Sequence, residues 1–586
     1  MMKKKWFSKE KGLCEYGCLV LLFVLFYSYR IFFTVLIATP GIQTPQDLFS
    51  TIYPAAMLAG NDWTAIGKNY SAYYGYGFSS LFAVLFLLFD DGLLIYRIMA
   101  TIFNAIPFFS ALICYKIINL FSLTISKWSK ALMAVACSSF VGMQYSGVSN
   151  EYPLTVCIWL YIYLILLLSN ETMVKKKNMY TFWLITLIGY ACTVHSRAVV
   201  LFLLLFCVIL FHYLINKVNI MPLWAILYAF VVFLLYRVVT NAVQSVLLGK
   251  VDANSSIIAH AANGTKAYSS LESYFIHIIS YINETNIITC GLFGIAIISF
   301  SVHIIKKVLK NDSVYDTPQD YLSSIGIISF GGWFLFAFGM AFSVRTEVYR
   351  GITDGEMRDF LRYLVLIRYF LPFIGPALLF LFIKLIANKN VDKKDVIKVG
   401  FLFDFVVLLA YYIIVIPKIS YTGWADSIYS VLTFGIKNDR KDVYLIGGFI
   451  IPFMIFLFSI LLLSHDRMSA LYIIIILTTI LFQTNHYMDK FEKNAITYVD
   501  GGYRDLRNSS YVDVAVRNFD EDGEVFKDPI FLYQIMLPKL RISIIDNNEQ
   551  NYKGVILTNK IINTDYENYT IKELDDNEWI LISVGE

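Results

Sequence analysis

Two carboxylates and a run of arginines stand where an apolar chain turns polar. Asp47 lies in "TPQDLFSTIYPAAMLAGNDW", residues 44–63, directly after the first long apolar segment. Glu151 lies in "SNEYPLT", at the junction of two further apolar segments. The stretch "VRTEVYRGITDGEMRDFLRYLVLIRYF" carries Arg345, Arg350, Arg358, Arg362 and Arg368. A carboxylate at a membrane surface can take the proton of an attacking hydroxyl. Guanidinium groups bind phosphate oxygens bidentately.

Each residue also has a plainer reading. Asp47 begins an apolar-periodic run and could cap a helix. Glu151 precedes Tyr152 and Pro153, where an acid suits the helix dipole and proline suits the first turn. Arg345, Arg350 and Arg358 fit headgroup anchoring, as basic groups beside anionic lipid do. Arg368 opens an apolar segment, which makes it the leading candidate for binding a phosphate, with Arg362 second. Arg97 and Arg197 lie near segment ends, because an unpaired charge inside a bilayer is costly. In "HSR", His195 and Arg197 could add phosphate contacts; a polar loop histidine and a snorkelling arginine fit equally.

The elements that must position these residues are membrane helices. The chain has 586 residues, 58% hydrophobic and 16% charged, with a mean hydropathy of +0.61. That excludes an ordinary soluble domain. A crossing needs about 20 apolar residues, and such runs recur near 13–38, 92–115, 131–149, 152–169, 180–195, 197–215, 220–239, 287–305, 320–344, 369–388, 396–416, 444–464 and 468–485. About thirteen crossings are therefore expected. Cytoplasmic loops are enriched in lysine and arginine. Lys3, Lys4 and Lys5, then Lys127, Lys175, Lys217, Lys306 and Lys389, fall on one side if the N-terminus is inside. This works only if "LFAVLFLLF", residues 81–89, does not cross, and its nine residues are too short to do so. Residues 46–58 and 76–89 then form interfacial helices in a first outer loop spanning 39–91. The expected fold is an all-α polytopic membrane domain, 1–486, with longer outer loops at 240–286 and 417–443. A small extracytoplasmic α/β domain, 487–586, is expected from short β-rich runs such as "YKGVILTN".

Several function classes fall away. The net charge is only +4 and basic residues form no stripe, which argues against nucleic acid. All eight cysteines sit in or beside apolar segments, so no disulfide framework or zinc site is suggested. The histidines have no metal-ligand spacing. No phosphate-binding glycine loop or nucleophile elbow is present.

The order of these features resembles the GT-C class of membrane glycosyltransferases, which take sugars from polyprenyl-phosphate or polyprenyl-diphosphate carriers. The resemblance covers roughly residues 13–390. It rests on Asp47 at the loop start, "AAMLAGNDW", the segment "YYGYGFSSLFAVLFLLF", Glu151, and "RYFLPF" at 368–373. Related mannosyl and aminoarabinosyl transferases carry Asp-Glu at the loop start, where this chain has Gln46-Asp47. Aligning on Trp63 puts Asp47 at the second position. The resemblance implies Asp47 as catalytic base and Glu151 as a second acid holding donor, acceptor or metal. It implies Arg368 toward the donor phosphate; Arg362, Arg97, Arg197 and His195 are further phosphate-binding candidates by position and charge alone. It implies a lipid-linked sugar donor and a glycan, lipid or protein acceptor at the outer face; the Ile-, Asn- and Tyr-rich composition and the lack of a disulfide framework suggest a bacterial plasma membrane. The class includes metal-dependent and metal-independent members, and the residues themselves support no metal. The rival readings are a lipid or glycan transporter or flippase, and a polytopic glycan polymerase or ligase. Paired broken helices and related halves, the marks of many transporters, are not evident in the sequence.

Overall fold

Long runs of Leu, Ile, Val and Phe can satisfy their backbone in an apolar medium only as helices, and the chain is built that way. The structure, a computed structural model, describes residues 12–36, 45–70, 74–140, 147–170, 176–249, 271–309, 317–353, 368–387, 392–418, 432, 445–494, 506–507, 509–517, 528–545, 552–562, 565–574 and 579–584. The first part holds α1 (Gly12–Leu36), α2 (Pro45–Leu58), α3 (Thr64–Tyr70), α4 (Ala83–Leu88), α5 (Gly92–Leu120) and α6 (Lys127–Ser138). Next come α7 (Glu151–Leu168), α8 (Lys177–Val194), α9 (Val200–Leu214) and α10 (Trp224–Leu248). The bundle continues with α11 (Leu271–Ile288), α12 (Leu292–Leu309), α13 (Thr317–Thr353), α14 (Leu371–Ala387) and α15 (Asp392–Ala410). It closes with α16 (Ile451–Ser464) and α17 (Met468–Asn494).

Eight helical segments among the described residues are long and apolar enough to cross a membrane: those of α5, α7, α9, α10, α12, α13, α15 and α16. The apolar parts of α1, α14 and α17 are shorter. The expected crossings at 131–149 and 180–195 coincide with α6 and α8, although α6 ends at Ser138. Residues 79–88 form only a 3₁₀ turn and α4, in line with the expected non-crossing segment.

Packing centres on α14, which is buried along nearly its whole length. A Cβ on Gly375 would sit 1.9 Å from the carbonyl oxygen of Cys137, so α14 and α6 meet backbone to backbone. One expected loop is partly helix. The range 240–286 contains most of α11, whose Ser273, His277, Ser280, Asn283, Glu284, Thr285 and Asn286 are all buried. Its polar face lowers the hydropathy that marks a crossing, while packing against neighbours still orders it.

The C-terminal region adds β1 (Asp513–Arg517), α18 (Asp528–Met536), β2 (Arg541–Ile544), β3 (Val555–Thr558), α19 (Asp565–Asn568), β4 (Tyr569–Glu573) and β5 (Trp579–Ser583). The sheet order is β2-β1-β3-β5-β4. β1 runs parallel to β2 and β3, as α18 crossing between β1 and β2 requires. β5 is antiparallel to β3 and β4. Val514 and Val516 of β1, Phe531 of α18 and Leu48, Phe49 and Trp63 of the first loop belong to one hydrophobic core. The Phe49 and Phe531 rings lie 5.2 Å apart. The Trp63 indole N–H donates to the Pro538 carbonyl at 2.9 Å. Arg507 pairs with Asp91 at 3.0 Å and Arg541 with Asp62 at 3.3 Å. The small domain therefore grips the first-loop helices, including the one that bears Asp47.

Candidate active site

Asp47 is the third residue of α2, which starts at Pro45, a favoured first-turn residue. Its two carboxylate oxygens reach across the fold. The Tyr74 hydroxyl donates to Oδ1 at 2.5 Å. Arg368 donates from Nη1 to Oδ2 at 2.9 Å. Thr51, one turn along α2, donates to the Asp47 carbonyl at 2.9 Å. The carboxylate is thus committed to partners outside its own helix.

Arg368 stands just before α14 and donates from Nη2 to the Tyr369 hydroxyl at 2.7 Å. The Arg197 guanidinium carbon lies 3.5 Å from the centroid of the Tyr369 ring, and that of Arg368 lies at 4.7 Å. Tyr369 is therefore flanked by two cations, within cation–π range. Burial pushes its phenol up, but Arg368 and Arg197 outweigh burial and hold it below the ordinary tyrosine range. Tyr74 moves the other way: burial, then the Asp47 charge it bonds, raises it. It remains a hydroxyl donor.

Glu151 opens α7. The Ser149 hydroxyl donates to its Oε2, and the Glu151 backbone N–H donates to Ser149 Oγ at 3.4 Å. His195 Nε2 lies 3.9 Å from Glu151 Oε1. Burial, and secondarily the Arg197 charge, press the His195 imidazole well below its ordinary value. His195 is consequently neutral, and the 3.9 Å approach is not an ion pair. Its Nδ1 accepts the Arg197 backbone N–H at 3.3 Å, fixing the turn that carries Arg197.

A cavity lies between these groups, lined by Asp47, Thr51, Tyr74, Ser149, Asn150, Glu151 and Arg368. The structure thus gathers Asp47, Glu151 and Arg368 on one cavity, with Arg197 and His195 directly behind it. Arg97 is half-buried in the first turns of α5 and does not line the cavity. Arg362 and Arg358 lie outside the described residues. Among the described residues, no three His, Cys, Asp or Glu side chains gather as a metal site would require.

Six residues escaped sequence reading: Thr51, Tyr74, Ser149, Asn150, Tyr369 and Arg30. Tyr369 was visible inside "RYF" but has no signal apart from its neighbour. Tyr74 is one of several tyrosines in "YYGYG". Arg30 is buried within α1, donating from Nε to Asn104 of α5 at 3.2 Å and from Nη2 to Tyr152 of α7 at 2.9 Å. It ties three helices together beside Glu151.

No family model matches the chain, and no curated protein matches it. Two solved structures are similar over nearly its whole length. One is ArnT from Cupriavidus metallidurans bound to undecaprenyl phosphate, with 11% identity and a TM-score of 0.46, covering 97% of this chain and 99% of that one. The other is ArnT from the same organism in the apo state, with 11% identity and a TM-score of 0.44, covering 98% of each.

Proposed function

We propose that the chain transfers a sugar from a polyprenyl-phosphate carrier to a hydroxyl acceptor at the outer membrane face. Undecaprenyl phosphate, the lipid held by one of the ArnT structures, is the kind of carrier meant. The observation that supports this reading is the sharing of one cavity by the Asp47 carboxylate, the Arg368 guanidinium and Glu151. In this reading the N-terminus is cytoplasmic, and the C-terminal domain lies outside with the cavity.

The chemistry follows from the pair. A sugar on a phosphate already has a good leaving group, so no general acid is essential. The acceptor oxygen attacks the anomeric carbon, the bond from that carbon to the phosphate oxygen breaks, and the acceptor proton goes to Asp47. The products are the glycoside and the free polyprenyl phosphate. Arg368 pairs with Asp47 and neutralises it. The donor phosphate is a better ligand for the planar fork because it offers several oxygens. Its arrival draws Arg368 away and leaves the Asp47 carboxylate free to take the acceptor proton. Arg197, stacked on Tyr369, adds positive potential on the same side.

The test is a lipid inventory. Cells relying on an Asp47→Asn chain should accumulate a polyprenyl-phosphate-linked sugar, read by mass spectrometry of lipid extracts. An unchanged lipid pool alongside normal levels of the protein would refute the transferase.

A further inference from the structure

Asn150 is 2% exposed and lines the cavity between Ser149 and Glu151. Neither its Nδ2 nor its Oδ1 has a hydrogen-bond partner among the described residues. Asparagine at a helix start ordinarily accepts a backbone N–H of the first turn. Here the Asn150 backbone is already helical, with φ −67 and ψ −12, and its side chain makes no capping bond. Ser149 takes that task, accepting the Glu151 N–H through Oγ. The carboxamide is left buried, without a partner among the described residues, and beside Asp47, Glu151 and Arg368.

Buried polar groups without partners are rare and unfavourable in folded proteins. The chemistry of the missing partner can be read from the amide itself. Nδ2 only donates and Oδ1 only accepts. A phosphate would satisfy the first and not the second; a cation would satisfy the second and not the first. A sugar hydroxyl, or an acetamido substituent, does both.

We propose that Asn150 is the sugar-recognition residue of this cavity, binding a hydroxyl or acetamido group through both arms of its amide. This assignment rests on the transferase reading for the sugar's origin, which is either the donor's transferred ring or a glycan acceptor. It does not depend on that reading for the orphaned amide itself.

Two measurements on Asn150→Ala test it. The first is thermal unfolding of the protein in nanodiscs containing no polyprenyl lipid. An amide without partners is not missed, so the midpoint should equal or exceed that of the wild type. A clearly lower midpoint, or failure to fold, would make Asn150 a structural residue and overturn the proposal. The second uses two probes: the glycosylated carrier recovered from Asp47→Asn cells, and undecaprenyl phosphate, which has no sugar. If the donor ring is read, Asn150→Ala weakens the glycosylated carrier roughly tenfold, as loss of a paired polar contact does, and leaves undecaprenyl phosphate unchanged. If the acceptor is read, both lipids bind as before but consumption of the carrier in native membranes falls about tenfold. Unchanged affinities together with unchanged consumption would overturn the proposal, as would equal weakening of both lipids. A glycosylated carrier that never accumulates refutes the transferase instead, while the unfolding result still decides the status of Asn150.

Discussion

Asp47 and Arg368 are 321 positions apart in sequence and 2.9 Å apart in space. Their side chains are mostly buried, 17% and 12% exposed, so water screens the pair only in part. The two residues that sequence reasoning assigned to proton removal and to phosphate binding are therefore each other's partners at rest. In the proposed reaction neither can act until a third group separates them.

Replacement of Asp47 by Asn removes the base and keeps a side chain of the same shape. Turnover should fall by two or more orders of magnitude, the scale of a lost general base, and the unfolding temperature should fall as well because Arg368 loses its carboxylate partner. Near-normal turnover of the purified variant would leave Asp47 a structural residue of α2.

The grip of the small domain on α2 should be felt in catalysis. Trp63→Phe removes the donor to the Pro538 carbonyl and leaves that buried group unpaired, at a cost of about 1–3 kcal/mol. Phe531→Ala, in α18, empties space against Phe49 and should cost about 3–5 kcal/mol of stability. Neither residue lines the cavity, yet turnover should drop several-fold in both because α2 carries Asp47. Lowered unfolding temperatures with unchanged turnover would separate the domain from the chemistry.

His195 gives stability a defined pH dependence. Its imidazole is held below the usual value by burial and by Arg197, so the unfolded chain takes up a proton first as pH falls below about 6.5. This contribution to stability is complete above that pH and is lost as pH drops toward the lower folded value. Glu151, 3.9 Å away and raised by burial, contributes in the opposite sense, so the comparison carries the test: between pH 7 and pH 5 the unfolding temperature of His195→Gln should fall less than that of the wild type. An equal slope in the two proteins would mean that His195 is not held neutral.

The helical architecture was legible because backbone polar groups in an apolar medium leave few options, and long apolar runs announce them. Residues 81–89 form only a short helix, as their nine-residue apolar run leads one to expect. α11 was missed because Asn283, Glu284 and Asn286 make it look like loop, and only tertiary packing reveals that they face inward. Asp47, Glu151 and Arg368 were legible because charge stands out where apolar segments end. Their mutual contact was not, since no local pattern encodes a pairing across 321 positions. Arg30 and Asn150 were opaque for the same reason: what distinguishes them is the presence or absence of a partner on another element.

The affinity of undecaprenyl phosphate for wild type, Asp47→Asn and Arg368→Ala, measured in the same nanodiscs, bears most directly on the separation of the pair. Asp47 competes with the phosphate for Arg368, so Asp47→Asn should bind the lipid more tightly than wild type, by roughly tenfold or about 1.4 kcal/mol. Arg368→Ala should bind it at least tenfold more weakly, about 1.4 kcal/mol in the opposite sense. Binding by Asp47→Asn that is equal to or weaker than wild type would contradict the competition, and with it the idea that the donor's phosphate releases the base.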